Sequence, residues 1–160
     1  MKQKFPPKAN IEKKDNRYLK ERHLLALIIS RGKWEWLEDE RLEEVISDVL
    51  FQKIVDLLKN QYAENNRIDV KKVLDQMPEE LKQGFQEVYL QGQRNNLEYS
   101  KEKIEKAYKN LKKEDLNQKL NNLRQKIVQL ERQKNYDEEK MKRLEKKYVR
   151  LSQEKTSLQD

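Results

Sequence analysis

Leu24, Leu25, Ala26, Leu27, Ile28 and Ile29 form an unbroken apolar run inside the stretch RYLKERHLLALIIS, residues 17–30. Six consecutive positions cannot share one stripe of an α-helix, so a helix carrying them must be surrounded by other elements rather than laid on a surface. Leucine and alanine favour helix, and neither glycine nor proline follows until Gly32. The run is far too short to cross a bilayer, which takes about 20 apolar residues. The expectation is a central, buried helix in a small soluble helical bundle.

Such a helix needs a core, and the chain has little to spend on one. Of 160 residues, 35% are hydrophobic and 41% are charged, which predicts a compact part with a core and a long polar helical part without one. Net charge is +7, distributed as +3 over residues 1–15, −2 over 16–96 and +6 over 97–160. Basic ends suit acidic partners, either nucleic acid or an acidic protein face. In the tail the two signs are interspersed, which is also the pattern of any long solvated helix. The absence of cysteine excludes disulfides and zinc–thiolate sites and fits a reducing compartment. Met1–Asp15 has no apolar core of a secretory signal, so a cytoplasmic protein is expected.

Residues 1–15, with Pro6-Pro7 and five lysines, read as a flexible linker. Asp15 or Asn16 is placed to cap the first helix. Trp34 and Trp36 are expected to close the edge of the core. Ser47 reads as the N-cap of a helix bearing Val49, Leu50, Ile54, Val55, Leu57, Leu58 and Tyr62, which Asn65-Asn66 ends. Asp69 caps a short helix, and Pro78 opens another that presents Leu81, Phe85, Val88 and Tyr89 and stops by Gly92. Residues 16–112 therefore read as an all-α helical bundle subdomain.

From Gln93 to Asp160 there is no glycine or proline. Apolar residues recur at Leu97, Ile104, Tyr108 and Leu111, then at Leu116, Leu120, Leu123, Ile127 and Leu130, a heptad-like seam. The five-residue step from Leu111 to Leu116 implies a hinge or a register change in a long helix. The pattern breaks at residues 133–137, where Asn135 suits a left-handed cap, Asp137 an N-cap, and Tyr136 a hydrophobic staple onto Met141. It resumes at Met141, Leu144, Tyr148, Leu151 and Leu158, so residues 113–160 are expected to fold back as an antiparallel helical hairpin. One continuous helix in a parallel coiled-coil dimer is the rival arrangement, and the cap chemistry favours the hairpin. Its tip joins Tyr136 and Met141 to the basic Arg132 and Lys134. These four, with Leu144 and Tyr148, are the candidate partner-binding residues.

Catalytic chemistry has nothing to build on in this sequence. His23 is the sole histidine and adjoins the apolar run, where a packed residue is the plainer expectation. There is no phosphate-binding loop, no dinucleotide fingerprint and no metal-ligating cluster, so no cofactor is expected. A helix pair that buries one seam leaves its other faces for binding.

Glu21-x-x-Leu24-Leu25-x-Leu27-Ile28, the short aromatic segment after it, and Ile46-Ser-Asp48…Ile54-Val-Asp-Leu57-Leu58 together resemble the C-terminal helicase-binding domain of bacterial DnaG-type primases. Leu120-x-x-Leu123…Leu130-Glu131-Arg132-x-Lys134-Asn-Tyr-Asp137…Leu144 is similar to the terminal hairpin of that domain, although the second hairpin helix here is poorer in leucine. The resemblance spans roughly residues 16–158. It implies a non-catalytic module, monomeric when isolated, that docks on the N-terminal collar of the hexameric DnaB-type replicative helicase and couples priming to unwinding in the primosome. The N-terminal domain of such a helicase has a similar fold and opening pattern. A helicase chain would run on into an ATPase, so the expectation of a linker first and a hairpin last favours the primase. A basic module for single-stranded nucleic acid and a structural coiled coil remain as alternatives.

Overall fold

The computed structural model describes residues 8–94 and 101–158. Those residues are all-α: α1 Lys8–Ser30, a 3₁₀ turn Trp34–Glu38, α2 Glu40–Val45, α3 Val49–Asn65, α4 Val70–Gln76, α5 Glu79–Arg94, α6 Lys101–Glu131 and α7 Glu138–Ser157, with no strand among them. They fall into two compact units, Met1–Tyr108 and Lys109–Asp160. The boundary lies a few residues before the expected one, inside α6.

In the first unit, the whole run Leu24–Ile29 is at most 4% exposed. Every side of α1 is therefore covered at this level, as six consecutive apolar residues require. Its chief neighbour is α5, while α3 packs on α5 and on the 3₁₀ turn. Phe51, Ile54, Val55 and Leu58 from α3 and Leu81, Phe85 and Val88 from α5 complete the core. Val49, expected on the core face of α3, is 63% exposed. It sits in the first turn, where the inward stripe begins only at Phe51. Trp36 is buried and Trp34 half-buried, so the two tryptophans do close an edge of the core.

α1 ends in a Schellman motif: the Lys33 amide donates to the Ile28 carbonyl at 2.9 Å and the Gly32 amide to Ile29 at 3.2 Å. Gly32 has φ +61, which an L side chain adopts only at a cost. The start of α1 differs from expectation. The helix takes in residues 8–15, because nothing between Lys8 and Gly32 breaks it, and Asp15 and Asn16 are interior positions rather than caps. Residues 1–7 of the expected linker lie outside the described residues, as does Leu97.

Glu21 is the one buried charged residue of the described set, with 0% exposure. Its carboxylate accepts from Arg17 Nε at 2.7 Å, from the Ser47 hydroxyl at 2.7 Å, and from the backbone amides of Ser47 and Asp48 at 2.9 and 3.0 Å. Arg17 also donates from Nη2 to the Val45 carbonyl at 2.7 Å. Ser47 is consequently not the cap of α3. Asp48 takes that place and accepts from the Leu50 amide at 2.9 Å, while Ser47 is drawn to Glu21. Asp69 caps α4 as its sequence position predicts.

α5 runs through Gly92 to Arg94 instead of stopping. A Cβ at Gly92 would lie 2.7 Å from Ser30 Cβ and 3.0 Å from the Ala26 carbonyl oxygen. The glycine serves close approach of α5 to α1, not helix termination. Asn66 does end α3 in the left-handed conformation, with φ 55.

Replacing Leu25 or Ile28 by alanine should cost about 2–5 kcal/mol in urea unfolding, since each leaves a cavity in a fully packed site. A loss below about 1 kcal/mol at both positions would mean that α1 is not the centre of the bundle.

Candidate functional site

The second unit is built on one seam. Leu116, Leu120 and Leu123 of α6 and Leu151 of α7 form its buried cluster, with Leu144, Tyr148 and Leu158 packed against it. Lys112 pairs with Glu154 at 3.6 Å, and Arg124 donates to the Tyr148 hydroxyl at 2.8 Å. Partner numbers fall along α7 as they rise along α6, which is the antiparallel order. The step from Leu111 to Leu116 lies within an unbroken helix, so it is a change of register and not a hinge.

Residues 132–137 connect the two helices. The last turn of α6 closes with the Arg132 amide on Val128 and the Gln133 amide on Leu130. Asp137, with φ −74 and ψ 110, caps α7 through the amides of Glu139 and Lys140 at 3.0 and 3.2 Å. Glu138 and Glu139 follow in the first turn, where negative charge favours the helix N-terminus. Asn135 does not adopt the left-handed conformation expected of it, since Asn66 is the only described non-glycine with positive φ. A connection of six residues reverses the chain without one.

The six candidate residues divide. Arg132 and Lys134 are exposed in the connection, and Tyr136 beside them is 38% exposed. Met141 is buried, and Leu144 and Tyr148 are half-buried against the seam. The structure thus gathers Arg132, Lys134 and Tyr136 at one end of the unit as available surface. Met141, Leu144 and Tyr148 belong mainly to what holds the helices together, though the Tyr148 ring also receives the Arg124 guanidinium at 5.8 Å.

Sequence reasoning missed a second feature of this unit. Lys119 and Lys126 of α6 and Lys147 and Arg150 of α7 line a groove floored by Leu123 and Leu151, with Asn122 on its wall. The signal was available in part: Leu116–Leu130 contains Lys119, Arg124 and Lys126 and no acidic residue. The contribution of α7 could be seen only once the two helices were paired.

In the first unit the polar chemistry is mostly spent internally. Arg41 lies over the Trp36 ring at 4.4 Å and the Tyr108 ring at 5.4 Å and pairs with Asp39 and Glu105 at 2.9 and 3.2 Å. Its hydrogen bonds hold the Asp39 carboxyl below its ordinary range. Tyr18 stacks on Phe51 with ring centroids 4.7 Å apart and donates to Glu87 at 3.1 Å. Burial, and then Glu87, raise its pKa. Among the described residues no three His, Cys, Asp or Glu side chains could hold a metal ion, and no helix is long and apolar enough to cross a membrane.

No protein-family model, no curated protein and no solved structure matches the chain.

His23 is half-buried, and burial, with the nearby Lys103 charge second, lowers its pKa below 6.5. The unfolded chain therefore binds the proton more readily than the folded one between the two pKa values. The contribution is fully present above about pH 6.5 and is lost as pH falls below it. As the chain has a single histidine, its NMR titration should give a midpoint under 6.5. A midpoint at or above that value would contradict the burial.

Proposed function

We propose that this chain is a non-catalytic interaction domain of a bacterial DNA primase, which binds the N-terminal domain of the hexameric DnaB-type replicative helicase and couples primer synthesis to fork unwinding in the cytoplasm. The resemblance in sequence supplies the partner. The observation that carries the reading is the end of the second unit, where Tyr136 stands partly exposed between an exposed Lys134 and a capped helix, with Arg132 four residues before it. An aromatic side chain with a neighbouring arginine is the composition that tends to dominate interface energy. Leu130 and Met141, on either side of the connection, are already buried, so the connection can meet a partner without the helices coming apart. The first unit fits a supporting role, because its core is complete around α1 and its Arg17, Arg22 and Arg41 are paired internally.

The double variant Arg132→Ala with Tyr136→Ala should weaken binding to the helicase N-terminal domain by at least about 2 kcal/mol, roughly 30-fold, in calorimetry. Helical content should stay unchanged, since Leu123, Leu144 and Leu151 remain. Unaltered binding by the folded double variant would remove this surface, and failure of the wild-type chain to bind at all would remove the helicase.

A further inference from the structure

One groove between α6 and α7 is lined by four cations and no carboxylate. Lys119, Lys126, Lys147 and Arg150 are all exposed, and no acidic residue is among those that line the groove with them. In the first unit several cations are paired: Arg17 with Glu21, Arg22 with Glu87, Arg41 with Asp39 and Glu105, Lys59 with Glu43 and Lys82 with Glu79. On exposed antiparallel helices, alternating lysine and glutamate would be the ordinary solution. Here fifteen consecutive residues of α6, Leu116–Leu130, carry amides and cations with no acid. Four like charges around one groove repel one another and remain only because water and counterions screen them. Such a groove gains most from a ligand that brings several negative charges in a row.

We propose that this groove binds the phosphodiester backbone of single-stranded nucleic acid. Lys119 and Lys126 stand seven residues apart on α6, about 10 Å along its axis, and Lys147 and Arg150 face them from α7. Two cationic rows thus border an apolar floor of Leu123 and Leu151. Phosphates meet the rows, and sugar and base carbons cover the floor. The groove holds about 280 Å³ and lies between helices whose axes are about 8–10 Å apart, which admits a single strand but not a duplex. Asn122 adds an amide that can donate to phosphate or base. The proposal is independent of the helicase reading, which concerns the connection at residues 132–137.

The test is fluorescence anisotropy of the full chain with labelled oligothymidylate, the matching duplex and a polyglutamate peptide. Four phosphate contacts predict a slope of log affinity against log salt near −3, about a 50-fold loss between 50 and 200 mM salt. Replacing Lys119, Lys126, Lys147 and Arg150 together by glutamine should weaken oligothymidylate at least tenfold and flatten that slope, with an unchanged thermal transition because all four are exposed. The double variant Lys126→Gln with Arg150→Gln should show about half the change in slope. Lys71→Gln with Lys72→Gln, on exposed lysines of α4, should change nothing. Wild-type affinity in the quadruple variant, an equal loss in the α4 control, or tighter binding of duplex or polyglutamate than of the single strand would each overturn the proposal.

Discussion

The Glu21 carboxylate ties the middle of the central helix to the segment between α2 and α3. It is fully buried and receives four hydrogen bonds from Arg17, Ser47 and Asp48. A buried ion is tolerated only when paired and saturated with donors, and removing its partners typically costs about 3–5 kcal/mol. Both oxygens are satisfied here, and two of the donors are backbone amides just ahead of α3 that no helical carbonyl could reach. The same turn is held again by Arg17 on the Val45 carbonyl. This fixes where α3 begins, hence which face carries Phe51, Ile54, Val55 and Leu58 inward, and α5 then closes over α1 through Gly92.

Once that core is filled, few apolar residues remain. The second unit has a single seam, and a helix pair with one seam is exposed over most of its circumference. The first unit stabilises itself with internal pairs such as those of Arg41, whereas the second presents Tyr136 with Arg132 and Lys134 at its connection and a cationic groove along its length. In the function proposed here, stability and recognition are divided between the two halves of the chain.

Local and periodic features were legible in the sequence. The apolar run, the caps Asp69 and Asp137, the end of α3 at Asn66 and the seam of Leu116, Leu120, Leu123 and Leu151 each follow from spacing or from one residue's conformational preference. What was not legible depends on distant partners. Ser47 and Asp48 are equally good caps in isolation, and only Glu21, 26 residues away, decides between them. Gly92 looks like a helix stop until Ala26 and Ser30 of α1 lie against it. The cationic groove draws half its charge from each of two helices, and the sequence shows them only as one long basic tail.

The most direct measurement is amide hydrogen exchange on the full chain with and without the helicase N-terminal domain. A binding surface at the end of the second unit predicts added protection in residues 128–141, over the last turn of α6, the connection and the first turn of α7. Exchange in α1, α3 and α5 should not change. Protection confined to α1–α5, with 128–141 exchanging as in the free chain, would contradict the division of stability and recognition between the two units.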